Sequence, residues 1–320
     1  MAKSRKLEAL LEQLKQLRSD PTADNAVDQL RQILGSKYAV AVAQAAKITG
    51  QYEITQLTPE LITAFKRFMI NPVKSDPNCL AKAGIADALY RMNYSDAELF
   101  LQGIHHVQME PAWGEPVDTA PELRGICAMG LVRMNYPAVM IELADLLADP
   151  ELPVRIAAAQ AIAYSESEHG IPLLRLRAKM GDQPEVISEC LVALLKLAPE
   201  RSLDFVASFL QAEPIQTQEL VALALGESRL PEAFDRLRYW WAHTTEPELR
   251  QTGLLAIAML RQDATFQFLV SLIATGRNLD AKDAIAALSI YRHDPGLWQR
   301  VHAAAEKRGD AELLKALQKN

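Results

Sequence analysis

A chain of 320 residues, 49% of them hydrophobic and 23% charged, has the balance of a soluble folded protein with a large core, which excludes a disordered polypeptide. With 6% aromatic residues and 14 glycines it favours helices built from Ala and Leu over sheet. A formal net charge of -6 and a pI near 5.6 leave no overall electrostatic drive toward nucleic acid or anionic lipid.

Lys3, Arg5 and Lys6 open the chain like an export signal. The segment that follows, LEALLEQLKQLRS, is too charged for an apolar h-region, so export is not expected. Leu7, Leu10, Leu11, Leu14 and Leu17 instead form one stripe, which predicts a capping helix within residues 1–23. The apolar stretches further on, such as GLLAIAML at 253–260, fall far short of the roughly 20 residues that cross a bilayer, so no membrane span is expected. Cys79, Cys127 and Cys190 are widely spaced and outside any CxxC pair. They suggest neither a disulfide framework nor a zinc knuckle, and they fit a reducing cytoplasm.

The string RMNY occurs at 91–94 and at 133–136, and the match extends backwards, pairing AKAGIADALYRM with LRGICAMGLVRM. Aligning whole segments gives further starts at Tyr38, Val154, Val186, Ile215, Leu249 and Asp280 besides Ala81 and Leu123. The successive spacings are 43, 42, 31, 32, 29, 34 and 31 residues, a stacked-repeat pattern rather than one closed core. Eight residues after the starts stand Leu89, Leu131, Ile162, Leu194, Leu223, Ile257 and Leu288. Four residues after them, small or apolar residues dominate, with Glu219 as the exception. Columns four apart share one face of a helix. Prolines after an acidic or amide residue, as at Asp76-Pro77, Asp149-Pro150 and Glu246-Pro247, separate two helices in each unit. Residues 24–300 therefore read as about eight helical hairpins, with a second capping helix in 301–320 and the whole as one continuous domain.

Three sequences, DPELPVRIAAAQAIAYSE (149–166), APELRGICAMGLV and EPELRQTGLLAIAML, resemble the HEAT-repeat family, in particular its short PBS-lyase HEAT-like units. The resemblance covers roughly residues 24–300. It implies an all-α fold, a right-handed α-solenoid superhelix, with second helices lining a concave face. It also implies a basic residue after the first apolar position of each second helix. Lys82, Arg124, Arg155 and Arg250 match that position, whereas Ile187 and Gln216 depart from it.

Two insertions, INPVKSDPN (70–78) and VQMEPAWGEPVDTAP (107–121), fall between first and second helices of neighbouring units and should project side by side. Trp113 in the second either contacts a partner or folds back over its own repeat. His105 and His106 stand just before it, with Glu110, Glu115 and Asp118 nearby, but adjacent helical residues point about 100° apart and rarely share one ion. In RLRYWWAH (236–243), Trp240 and Trp241 should face different ways. One would be core and the other, with Arg238 and Tyr239, an exposed hot-spot cluster.

No phosphate-binding loop, GxSxG elbow, HExxH motif or His-Glu dipeptide is present, so no catalytic, metal or cofactor residue is assigned. The expected function is a non-enzymatic cytoplasmic scaffold. It would bind a protein or peptide through its concave face and the Trp113 loop, using His105, His106, Trp113, Glu115, Arg238, Tyr239 and Trp241. The alternative that the resemblance implies is a subunit of the lyases that attach or remove bilin chromophores on light-harvesting proteins. A weaker one is a HEAT-like DNA-binding protein, against the acidic balance.

Overall fold

The computed structural model describes residues 2–19 and 25–319. It is an all-α solenoid of helical hairpins, and its strands, among the described residues, are one two-residue pair. The chain divides into two compact units, Met1–Glu166 and Ser167–Asn320, where the sequence suggested one continuous domain.

Unit 1 contains α1 (Ala2–Ser19), α2 (Ala26–Leu34), α3 (Ala39–Gln51), α4 (Thr58–Phe68), the single turn α5 (Pro72–Ser75), α6 (Leu80–Arg91) and α7 (Ala97–Ile104). The strands β1 (Met109–Glu110) and β2 (Val117–Asp118) follow, then α8 (Pro121–Arg133), α9 (Val139–Leu147) and α10 (Leu152–Tyr164). The second helices α3, α6, α8 and α10 stack in succession, and α1 lies on α3. Unit 2 contains α11 (Gly170–Met180), α12 (Pro184–Leu197), α13 (Pro199–Ala207), α14 (Ile215–Ser228), α15 (Ala233–His243), α16 (Pro247–Met259), α17 (Asp263–Thr275), α18 (Asn278–Leu288), α19 (Pro295–Arg308) and α20 (Ala311–Lys319). There α12, α14, α16, α18 and α20 form the continuous stack.

All eight predicted hairpins are present, and two of their registers differ from the sequence reading. Most second helices are followed by a residue in the left-handed region: Glu53, Asn93, Asn135, Glu166, Arg229 and Arg261, with φ of 51°, 57°, 53°, 54°, 56° and 57°. It stands twelve positions after Ala81, Leu123, Val154 and Leu249. Counting back from Glu53 and Arg229 then gives starts at Ala41 and Thr217, not Tyr38 and Ile215. Burial agrees, since in this register the four-residue column holds Ala45 and Val221 and the eight-residue column Thr49 and Leu225, all inaccessible. Glu219 is then no exception to the core column; it sits on the outward face. Each fully buried aliphatic residue of these columns contributes about 1.5–3 kcal/mol to folding.

RMNY is a helix stop. In both copies the N–H of the left-handed Asn bonds back to the carbonyl three residues earlier, as Asn93 to Tyr90 (3.1 Å) and Asn135 to Val132 (2.9 Å). The following Tyr bonds to the carbonyl five residues earlier, as Tyr94 to Leu89 and Tyr136 to Leu131 (3.0 Å each). This is a Schellman motif, and Asn adopts its left-handed position at lower cost than most residues.

The C-terminal boundary also differs. Residue 300 lies inside α19, whose Leu297, Val301 and Ala305 are buried, and α19 and α20 form a ninth hairpin with α19 on α17 and α20 on α18. The predicted boundary between residues 23 and 24 lies outside the described residues.

Candidate functional site

In unit 1 the two insertions lie side by side, as their positions require. The Nε2 of Gln108 donates to the carbonyl of Asp76 (2.8 Å), and the N–H of Asn78 donates to Oε1 of Glu110 (2.7 Å). Beneath them a charged ladder runs through the second helices. Six residues separate each basic side chain from its first partner. Lys82 is wholly buried with Asp76, Nζ to Oδ2 at 2.9 Å, and Asp76 also accepts from the N–H of Ala81 and Lys82. Arg124, 2% exposed, donates to Asp118 (2.7 Å) and to the carbonyl of His106 (2.9 Å), and its other edge meets Asp149 at 3.0 Å. Arg155 donates to the carbonyls of Asp149 and Pro150 (2.8 Å each). These residues hold loops to helices.

The hairpin β1–β2 stands on this base with Met109 opposite Asp118 and Glu110 opposite Val117. Asp118 accepts from the N–H of Gln108 and of Ala120. Burial acts to raise its pKa, but these two bonds and the Arg124 guanidinium outweigh it and hold the carboxyl below the usual range. Glu110 is shifted the same way: burial opposes, and bonds from Gln108, Thr119 and Asn78 prevail. Both carboxylates thus act as acceptors that fix the hairpin to its base. Among the described residues no group of three or more His, Cys, Asp or Glu side chains is arranged to hold a metal ion.

At the hairpin tip residues 111–116 are all exposed, and Trp113 has no cover at all, at 109% relative exposure. Gly114 beside it, at φ 107°, has open space around its Cα. The indole does not fold back over its repeat. Val107, Met109 and Val117 on the hairpin, with Ile70 and Val73 on the neighbouring insertion, are exposed too. Glu115 shares the tip with Trp113. His105 and His106 diverge: His105 is exposed with Nε2 3.1 Å from Glu142, whereas His106 is half-buried with Nε2 3.2 Å from Oε1 of Gln108.

In unit 2 the aromatic segment occupies α15 and borders a cleft of about 1060 Å³. The expected split between Trp240 and Trp241 does not occur, because both are buried, at 6% and 8% exposure. Gly253 of α16 is the cause. A Cβ there would lie 3.2 Å from Cδ1 of Trp241 and 3.3 Å from Cζ3 of Trp240, so its absence lets two adjacent indoles share one helix surface. Trp241 is further held by the Arg250 guanidinium over its ring (4.3 Å) and by the edge of Phe268 (5.6 Å). The exposed aromatic is Tyr239, at 64%, stacked on His243 with centroids 4.1 Å apart. Arg238 pairs with Asp235 at 3.2 Å on the surface. Trp241 therefore lines the cleft as part of its wall, with Arg238 and Tyr239 as its accessible neighbours. The sequence reading missed Phe268 and Gln218 of the same lining, which lie on other helices and carry no local motif.

The three cysteines are buried and free. Burial raises their thiol pKa values, to about 12 for Cys79 and Cys190, and Cys127 is raised as well. None has the depressed pKa of a nucleophile.

Repeating second helices, a repeating left-handed stop and a repeating six-residue tether leave one description of the architecture. The chain is an α-helical repeat protein. No protein-family model matches it, and no curated protein does. Among solved structures, the CpcE–CpcF complex of phycocyanin lyase from Nostoc is similar at 15% identity and a TM-score of 0.38, over 75% of this chain and 88% of that one. An engineered protein is similar at 15% identity and a TM-score of 0.38, over 96% of this chain and 85% of that one. Likenesses at that level carry no information on the partner or activity of this repeat protein. No helix among the described residues is long and apolar enough to cross a membrane.

Proposed function

We propose that this protein is a non-enzymatic scaffold that binds a protein or peptide partner, with the β1–β2 hairpin as its recognition element. The observation that carries this is the exposure of Trp113 on a fixed base. A Trp side chain buries roughly 150–250 Å² when covered, and covering apolar surface stabilises by roughly 25 cal/mol per Å². Here none of that is used in the fold. The hairpin holding the indole is tied down by Gln108, Glu110 and Asp118, so little ordering entropy opposes contact. Trp is also the residue type most enriched among hot spots. Glu115 beside it and the apolar flank of Val107, Met109 and Val117 would extend the contact, and His105 lies on the exposed side of the same loop.

The test is site-specific photo-crosslinking, with a benzoylphenylalanine at position 113 activated in native extract and the same group at the exposed Glu200 as control. The reading expects one discrete protein joined at 113 and absent at 200. Identical crosslinks at both positions, or none at 113, would refute it. A coloured adduct would point instead to a chromophore-handling role.

A further inference from the structure

A second surface lies in unit 2, on the outward faces of three successive second helices. A groove of about 450 Å³ is lined by Glu219 on α14, Glu248, Gln251, Thr252 and Leu255 on α16, and Asp283, Ala286 and Ala287 on α18. Six residues after their starts at Leu249 and Asp280, Leu255 and Ala286 occupy the same outward position of their repeats, and Leu223 on α14, six after Thr217, continues the line, half-buried. This is an apolar floor. The rim is acidic: Glu219, Glu248 and Asp283 each come from a different helix, and no Lys, Arg or His lines the groove.

Among the described residues, Glu219, Glu248 and Asp283 form no ion pair. Asp283 accepts from the Gln251 amide at 3.2 Å. Its pKa is raised, chiefly by burial and further by the neighbouring Asp280. The Gln251 bond and Arg250 oppose the shift without reversing it. Arg250 is itself committed to Asp280 and to the carbonyls of Trp241 and Thr244, and Lys282 is paired with Glu312. Both of these cations are therefore spent on holding repeats together.

We propose that this groove docks a basic amphipathic segment of a partner protein, its aliphatic side chains on the Leu255–Ala286 floor and its Lys or Arg side chains against Glu219, Glu248 and Asp283. The charge complementarity selects the occupant, because nucleic acid and anionic lipid are repelled by the rim, and the described residues offer no metal cluster. The dimensions agree. Packed helices lie about 8–10 Å apart, so carboxylates on three of them span roughly 20 Å, which a helix covers in about 13 residues. The inference rests on the scaffold reading and adds the class of partner.

The test uses a fluorescein-labelled peptide about 14 residues long, helix-forming, with Leu along one face and Lys along the other, and its Glu-for-Lys counterpart as control. Anisotropy is read on the full chain. The peptide should bind more weakly as salt rises, and the Glu219→Lys, Glu248→Lys, Asp283→Lys triple variant should weaken binding about tenfold or more. A second triple variant, Glu200→Lys, Glu232→Lys, Asp263→Lys, makes the same change in net charge away from the groove and should bind nearly as wild type. Leu255→Gln, which leaves the charge alone, should also weaken binding. Absence of binding to wild type, equal loss in both triple variants, or equal binding of the acidic peptide would overturn the assignment. The crosslink at position 113, read on the same proteins, reports on the scaffold reading separately, so either can fail alone.

Discussion

Gln218 donates through Nε2 to the carbonyl of Ala212, six residues back, at 3.0 Å. Arg250 makes the equivalent bond to Thr244 at 3.1 Å and Arg155 to Asp149 at 2.8 Å, each across the same six residues. Gln218, not Gln216, thus fills the basic position of its repeat, with an uncharged donor. Gln216 lies on the surface beside Glu185. Gln218→Ala should therefore lower the stability of unit 2 by about 1 kcal/mol, and Gln218→Glu, which sets an acceptor against the carbonyl, by about 1–3 kcal/mol. Urea unfolding checks both, and equal stability of the two variants would remove Gln218 from the ladder.

Arg124 joins two carboxylates, Asp118 and Asp149, and the His106 carbonyl. Arg124→Met leaves two carboxylates without their cation and should cost about 3–5 kcal/mol. Arg124→Lys should recover little, because one ammonium cannot span both carboxylates in the geometry of a guanidinium fork. The same network sets the acid limb of stability. Asp118 and Glu110 have lowered pKa values, so their contribution is complete above the unfolded value, about 3.9–4.3, and is lost as pH falls through the folded ones. His106 acts earlier. Burial lowers its pKa, so its contribution declines once pH drops below about 6.5. Stability should fall in two stages on acidification, and His106→Gln should remove the upper stage and keep the lower.

The hairpin count was legible because Pro at helix starts and small residues at the four-residue column are local or near-local signals. The register of α3 and α14 was not. Tyr38 and Ile215 are apolar residues at helix starts and look like core positions, but Ile215 is 44% exposed and the true starts, Ala41 and Thr217, are small or polar. Thr49 and Thr217 take buried places that the pattern assigns to aliphatics. Only the left-handed residue twelve positions on, invisible in composition when it is Glu53 or Arg229, fixes them. Trp113 was legible as a loop residue, but its exposure was not, since a Trp between prolines fits an exposed tip and a folded-back cover equally well. The sharing of α16 by Trp240 and Trp241 depends on Gly253, twelve residues away, which no helical period of α15 contains.

Tyr239 and Trp241 separate binding from folding. Trp241→Ala removes a buried side chain held by Arg250, Phe268 and Gly253 and should cost about 3–5 kcal/mol in thermal or urea unfolding. Tyr239→Ala and Trp113→Ala each remove an exposed ring and should shift stability by no more than about 0.5 kcal/mol. A loss of partner binding in either exposed variant is then a surface effect, whereas the same loss in Trp241→Ala accompanies a loosened repeat.

The thiols provide a check on burial. With pKa values of about 12 for Cys79 and Cys190, and a raised value for Cys127, the folded protein carries almost no thiolate at pH 8. Ellman's reagent should find the three thiols unreactive in the native state and all reactive in denaturant. A rapidly reacting thiol in the folded protein would place it outside the core.

Gly226 and Gly50 are required by the way second helices meet. A Cβ on Gly226 would lie 2.5 Å from the carbonyl oxygen and 2.8 Å from the Cα of Ala256, and one on Gly50 would lie 2.7 Å from the Cα of Ala88. In the corrected register both are nine residues after their start and face a residue seven after the next, so one close approach is made twice. Ala ordinarily stabilises a helix interior by about 1 kcal/mol relative to Gly. Here the obstacle is backbone of the neighbouring helix, which cannot rotate away, so Gly226→Ala and Gly50→Ala should each destabilise by about 1–3 kcal/mol. Gly35, whose nearest obstacle is a carbonyl at 3.4 Å, is the control and should tolerate Ala far better. If all three substitutions prove neutral, the second helices are not in the close register that the left-handed stops define.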